Sequence, residues 1–287
     1  MTTVLDVQRF KDEHRRFAVI TAYDFLSARI LDEAGIPILL VGDSLGMVML
    51  GHPTTLPVTL EDMLHHAKAV SRGSRQALLV GDMPFMSYHL SVEQALGSAG
   101  RFIQEAGMHA VKLEGGGRVV EITRRLTEIG IPVMGHLGLT PQFVHQMGGF
   151  KVQGKSQSQA SRILADAKAL EEAGAFSLVL EGVPSELGRR VTSALRIPTI
   201  GIGAGPGTDG QVLVFHDMLG ITTGKAPKFV KRYANLAEEI TRAATRFSQE
   251  VGSGAFPGPE HEYSANGQAP VPKEEREEVK YGAGYPG

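Results

Sequence analysis

Several short apolar runs in this chain stop at residues able to do chemistry. Gly42-Asp43-Ser44, Gly81-Asp82-Met83-Pro84, Lys112-Leu113-Glu114, Gly135-His136, Glu181-Gly182 and His216-Asp217 each stand at the end of one. If the runs are parallel strands, four carboxylates (Asp43, Asp82, Glu114 and Glu181) meet Lys112 and His136 on one rim. Singly, each acid reads as a helix cap or a loop ion pair. Crowded together, carboxylates repel, and a cation relieves the repulsion. Hard oxygen donors in a chain with no Cys point to Mg²⁺ rather than zinc. Asp43, Asp82 and Glu114 come from successive runs and can share one ion. Glu181, further round, is better placed as a base than as a ligand.

Lys112 and Glu114 are two residues apart and so share one face of a strand. A lysine inside a barrel is costly unless it meets an anion, either a bound carboxylate or phosphate or the side chains of Asp82 or Glu114. Acidic neighbours keep it protonated, which disfavours Schiff-base chemistry. His136 can bond a substrate or sit as a satisfied core histidine. Gly201–Gly205 can cradle a phosphate or simply allow tight packing. His65, His66 and His145 read as helix or loop surface residues.

The elements that must position these groups repeat along the chain. The apolar runs are Phe17–Ala22, Pro37–Gly42, Ala77–Gly81, Ala110–Leu113, Pro132–Gly135, Ser177–Leu180, Pro198–Ile202 and Val212–Phe215. They lack clean alternation, as strands buried on both faces do. Helical patterns lie between them, over Phe25–Ala34, Thr59–Ser71, Ser91–Ala106, Gly117–Ile129, Gln159–Ala173, Pro184–Leu195 and Phe229–Val251. Four end in the same way, at Gly35, Gly107, Gly130 and Gly174, each a glycine stop just before the next strand. Strand then helix, eight times, implies right-handed parallel crossovers and a closed (β/α)₈ TIM barrel. A doubly wound sheet would carry a Gly-x-Gly-x-x-Gly after the first strand, where Thr21–Leu26 has none.

A length of 287 residues suits one such barrel, expected over 1–252, with a flexible tail over 253–287. The tail's charged stretch, Lys273–Lys280, reads as solvated. Glycine is 35 of the 287 residues, in keeping with many tight loops. Charged residues balance at 29 basic and 31 acidic, which implies no general affinity for nucleic acid or anionic membrane. No apolar stretch spans a bilayer, and the acids of Met1–Arg16 argue against a signal or transit peptide. Zero Cys excludes disulfides, thiolate metal sites and a cysteine nucleophile, and fits a cytosol.

The same residues carry a family resemblance. Thr21-Ala-Tyr-Asp24, Val41-Gly-Asp-Ser-Leu-Gly46, Thr55-Leu-Pro-Val-Thr59, Asp82-Met-Pro-Phe85 and Val111-Lys-Leu-Glu-Gly115 are followed by Gly135-His-Leu-Gly-Leu-Thr-Pro-Gln142 and Gly148-Gly-Phe-Lys-Val-Gln-Gly154. Leu180-Glu-Gly-Val-Pro184, Ile200-Gly-Ile-Gly-Ala-Gly205 and Asp209-Gly-Gln-Val-Leu-Val214 complete the series. In this order, over roughly Arg16 to Pro257, the chain resembles the ketopantoate hydroxymethyltransferases (3-methyl-2-oxobutanoate hydroxymethyltransferases). Gly81, His52 and Thr208 depart from the pattern, and none is a charged site residue.

The resemblance implies a barrel of the phosphoenolpyruvate mutase-like group and a Mg²⁺ enzyme of pantothenate and coenzyme A biosynthesis. It implies transfer of a one-carbon unit from 5,10-methylenetetrahydrofolate to 3-methyl-2-oxobutanoate, giving 2-dehydropantoate. Asp43, Asp82 and Glu114 would hold the metal, and Glu181 would accept the proton. By the resemblance Ser44, Asp82 and Lys112 would contact the substrate, and Asp43 and His136 join them as candidate substrate contacts from their place on the rim. A cytoplasmic homo-oligomer, often a decamer, is implied as well. The competing expectation is a Mg²⁺-dependent lyase or mutase acting on a 2-oxoacid without folate, and tetrahydrofolate dependence separates the two. A non-catalytic acid-binding or scaffold barrel has no use for four rim carboxylates and Lys112.

Overall fold

The computed structural model describes residues 1–224 and 226–263. Eight strands close into a barrel in which every pairing is parallel, each strand lies beside the next in sequence, and the last pairs with the first to close the ring. They are β1 (Phe17–Thr21), β2 (Ile38–Val41), β3 (Leu78–Asp82), β4 (Ala110–Glu114), β5 (Val133–Gly138), β6 (Ser177–Glu181), β7 (Thr199–Ile202) and β8 (Gly210–Leu213). Each expected run supplies one strand. The eighth begins two residues early, because the ladder with β1 starts at Phe17 opposite Gly210. A Cβ on Gly210 would lie 2.6 Å from the Phe17 ring, so the first residue of β8 has to be one that an apolar pattern cannot flag.

The helices are α1 (Val4–Asp12), α2 (Phe25–Glu33), α3 (Leu45–Val48), α4 (Leu60–Gly73), α5 (Val92–Gln104), α6 (Arg118–Glu128), α7 (Val144–Met147), α8 (Gln157–Glu172), α9 (Ser185–Ala194), α10 (Phe215–Leu219) and α11 (Leu236–Ser253). The four repeated glycine stops all adopt positive φ: +78° at Gly35, +66° at Gly107, +86° at Gly130 and +95° at Gly174. At three of them the next residue donates its N–H five residues back, Ile36 to Leu31, Ile131 to Leu126 and Ala175 to Leu170. This bond satisfies an orphan helix carbonyl and turns the chain into the following strand.

Helix α1 lies where the sequence reads only as polar. Thr3 and Asp6 form a capping box at its start. Its buried Val7 and Phe10 join the apolar cluster formed by Val19, Ile38, Leu40, Leu78, Val80, Met134, Val179 and Ile200. The rings of Phe10 and Phe17 stand 5.4 Å apart. That cluster fills the barrel, while the opposite strand faces (Leu39, Val41, Leu79, Val111, Leu113, Leu178) pack in the outer cluster with the helices. Both strand faces are therefore buried, which accounts for the missing alternation.

The compact unit holding the barrel spans Met1–Ala234, and Asn235 opens a second unit that contains α11. The expected helix over Phe229–Val251 thus starts seven residues late. Tyr233 donates its N–H to the Met218 carbonyl at 2.8 Å, and Phe229 packs on Gly203, so both residues are tied to the barrel instead. The tail expected over 253–287, with its run Lys273–Lys280, lies from residue 264 outside the described residues. No helix among the described residues is long and apolar enough to cross a membrane.

One carboxylate fixes the entry to β3. Asp32 of α2 accepts from Ser74 Oγ at 2.6 Å and from the backbone N–H groups of Arg75 (3.0 Å), Gln76 (2.9 Å) and Ala77 (2.8 Å). Burial disfavours its charge, but these bonds prevail and hold its pKa below the ordinary value. Asp32→Asn would turn an NH₂ group toward backbone donors, for an expected loss of about 2–4 kcal/mol. The folded pKa is depressed, so the native carboxylate stabilises fully above about pH 4 and ceases to do so as pH falls through the folded value. Urea unfolding of both proteins from neutral pH to pH 3 checks this, and the gap between them should close at the acid end.

Candidate active site

Strand parity puts the chemistry inside. In β3 the barrel-filling side chains are Leu78 and Val80, so Asp82 is next in phase. By the same count Ala110 leads to Lys112 and Glu114, Met134 to His136, and Val179 to Glu181. Each is the last or nearly the last inward position of its strand, at the C-terminal rim where barrels of this type place their sites. Asp43 and Ser44 lie two and three residues beyond β2, in the turn into α3. All seven line one cavity of about 810 Å³, together with Thr21, Met47, Leu139 and Phe150.

The carboxylates of Asp43, Asp82 and Glu114, all buried, offer oxygens within 4.8 Å of one another. Lys112 Nζ donates to Asp82 Oδ1 at 2.6 Å and lies 3.6 Å from Glu114 Oε1, which realises the ion pair that its position in β4 allows. Glu181 is outside this trio. His136 connects it to the trio: Nδ1 is 3.3 Å from Glu114 Oε1, and Nε2 is 3.3 Å from Glu181 Oε2. Neither contact is aligned as a hydrogen bond, so the ring is held between two acids as a charge contact. Ser44 Oγ lies 2.9 Å from the Tyr23 hydroxyl.

Two residues of the site carry no charge and escaped the sequence reading. Gln142 donates from Nε2 to Asp43 Oδ2 (3.0 Å) and to the Met83 carbonyl (2.9 Å), and its backbone N–H donates to Glu114 Oε2 (3.1 Å). Its Oε1 accepts from the Tyr88 hydroxyl at 2.6 Å. The Tyr88 hydroxyl in turn accepts from the Glu114 N–H at 3.2 Å. This bracket sets the spacing between two acids of the trio. The only sequence signal for Gln142 is its place at the end of the Gly135–Gln142 motif, and Tyr88 has none. Gly203 and Gly205 of the glycine-rich loop have φ of +64° and +77° and line the cavity. A Cβ on Gly203 would lie 2.7 Å from the Phe229 ring, so close packing accounts for that glycine. His65 and His145 are exposed, while His66 bonds the Tyr23 carbonyl through Nδ1 at 2.6 Å.

Charge is out of balance here. Burial, then repulsion from Asp82 and Glu114, pushes the Asp43 carboxyl well above the carboxylate range despite Lys112 and Gln142. Burial also raises Asp82, against the pull of Lys112. Glu114 is held low, because Lys112 and His136 together outweigh its burial. Burial and Lys112 oppose a charge on His136, yet Glu114 and Glu181 prevail and lift it to about 9. Lys112 is raised despite burial by its three acidic neighbours. Asp43 is therefore the member of the trio whose charge the protein compensates least. Three hard oxygen donors with one such charge, open to a cavity, suit a divalent cation with positions left for exogenous ligands.

A family profile described as ketopantoate hydroxymethyltransferase matches residues 1–259. The chain is 58% identical over 257 residues to the 3-methyl-2-oxobutanoate hydroxymethyltransferase of Syntrophus aciditrophicus, covering 90% of this chain and 94% of that protein. It is 56% identical over 259 residues to the protein of that name from Chloroflexus aurantiacus, covering 90% and 92%. Among solved structures, 2,3-dimethylmalate lyase, a PEP mutase/isocitrate lyase superfamily member, aligns with a TM-score of 0.57 at 18% identity over 93% of each chain. Phosphonopyruvate hydrolase aligns at 0.58 and 13% identity over 90% of this chain and 92% of that one. These two likenesses establish the fold.

A cation bound by the native trio must stabilise the fold. At 100 times its Kd the gain is about 2.7 kcal/mol, a rise in Tm of roughly 5–10 °C for a domain this large. Thermal unfolding with chelator and then with MgCl₂ checks the shift. Asp43→Asn should lose the response while unfolding in chelator no earlier than the parent, since it removes the least compensated charge of the trio.

Proposed function

The chain belongs to the ketopantoate hydroxymethyltransferase family, and from that premise we propose that it transfers a hydroxymethyl group to 3-methyl-2-oxobutanoate, giving 2-dehydropantoate. The one-carbon donor in this reading is 5,10-methylenetetrahydrofolate, and the metal is Mg²⁺ held by Asp43, Asp82 and Glu114. The observation that carries it is the buried acid trio with a fourth carboxylate, Glu181, held beside it by His136 on the same cavity wall.

The C3 proton of the substrate is α to a ketone and far too weakly acidic for an ordinary carboxylate to remove quickly. Mg²⁺, when bound, supplies Lewis-acid polarisation of the 2-oxo group. Lys112 favours the ionised form of Asp82 and adds positive charge beside the site of the substrate anion, where a buried cation acts strongly. Ser44, with its hydroxyl fixed by Tyr23, offers a donor to the same anion. Glu181 takes the C3 proton. His136, between Glu114 and Glu181, orients that carboxylate and offsets its charge.

The C3–H electron pair then forms the bond to the one-carbon unit. The carbon–nitrogen bonds to the folate break, their nitrogens end protonated, and one water supplies the hydroxyl oxygen. Methylenetetrahydrofolate, oxoacid and water thus balance tetrahydrofolate and 2-dehydropantoate. An open cavity mouth admits that water. The family resemblance further supports a cytoplasmic homo-oligomer, with a decamer as the size that sedimentation should find.

Deuterium exchange at C3 of 3-methyl-2-oxobutanoate, followed by proton NMR with MgCl₂ present, tests the chemistry apart from the donor. Glu181→Gln should lower exchange by about 10²–10⁴-fold, the usual worth of a positioned base. It should keep the Mg²⁺-dependent rise in Tm. Unchanged exchange in this variant would remove Glu181 from its role, and no exchange by the folded parent would overturn the transferase reading.

A further inference from the structure

The oxoacid and the acid trio account for only the floor of the cavity. A five-carbon oxoacid fills a fraction of about 810 Å³. Above the floor the walls turn apolar, and large side chains stand open to solvent at the mouth: Phe150 at 51% exposure, Val152 at 47% and Phe229 at 38%. Exposed apolar groups gathered around a concave site mark a surface that a ligand covers.

A second cleft, of about 590 Å³, adjoins the first and shares two lining residues with it, Lys151 and Val152. Its character is opposite. It is lined by Lys155, Ser156 and three glutamines besides, and no acidic residue lines it. Lys151 and Lys155 are exposed and pair with no carboxylate among the described residues. The segment carrying them is anchored next to the base, because Gln153 donates its N–H to the Gly182 carbonyl at 2.8 Å. A ligand whose reacting end meets Glu181 can therefore extend past Phe150, over Lys151 and Val152, into the basic, amide-lined cleft.

That sequence of environments matches one kind of molecule: a flat conjugated body followed by a chain of amides and carboxylates. Resting on the transferase reading above, we infer that the cleft is the tail subsite of the reduced folate. Phe150 packs against its ring system, Lys151 and Lys155 hold the glutamyl carboxylates, and the glutamines meet the tail's amides. The subsite is a specificity device. It rewards a folate with several glutamates over one with a single glutamate, while the reacting carbon stays in the same place.

The test uses the full chain and compares KM for monoglutamyl and triglutamyl 5,10-methylenetetrahydrofolate. The native protein should prefer the triglutamyl form. The double charge reversal Lys151→Glu with Lys155→Glu should raise KM for that form about five- to ten-fold and abolish the preference, whereas Lys151→Arg with Lys155→Arg should keep it. The native preference should shrink as salt is raised. Equal KM values for both forms in the native protein, or a preference that survives charge reversal, would overturn the tail subsite and leave the transferase reading standing. Failure of the native protein to form product from either donor would overturn both.

Discussion

The rest of the site depends on one buried electrostatic imbalance. Asp43, Asp82 and Glu114 are forced within 4.8 Å of one another, and Lys112 and His136 are the cations beside them. Even with both charged, three carboxylates face two cations, one of them shared with Glu181, and Asp43 is the acid they compensate least. Folding alone gains nothing from such a cluster, since buried charge is expensive and apolar residues would fill the space at lower cost. The arrangement makes sense once a divalent cation and an anionic substrate complete it.

Rigidity keeps that imbalance from relaxing. Four of the charged groups stand on strands whose two faces are both packed, so neither backbone nor side chain can retreat toward water. Gln142 and Tyr88 then bracket the acids with hydrogen bonds from the loop after β5 and the loop after β3. Preorganisation of this kind lets a site act on developing charge without first reorganising itself. Glu181 is held near the trio through His136 and stays outside it.

Local and global signals agree over most of the barrel. The glycine stops at Gly35, Gly130 and Gly174 sit at positive φ with the same five-back hydrogen bond, and each delivers the chain into a strand. Asp32 does comparable work from a distance by collecting the backbone donors that lead into β3. Consistency among such devices is what makes one fold win over its competitors.

The sequence by itself determined the strand-and-helix order, the glycine-stopped helix ends and the rim residues, because each depends on neighbours a few positions away. An acid at the end of an apolar run falls at a strand's C-terminal end, and parity turns Asp82, Glu114 and Glu181 inward, whereas Asp43 reaches the cavity from the turn beyond β2. The tertiary structure alone decided what these residues touch. Gln142 reaches Asp43 across 99 positions of chain, and Tyr88 meets Gln142 across 54, so no local pattern could mark either. Helix α1 reads as polar because only two of its side chains are buried, and the barrel floor that buries them comes from distant strands. The placing of His136 between Glu114 and Glu181 likewise required the barrel to close, since β4, β5 and β6 meet there only through their register.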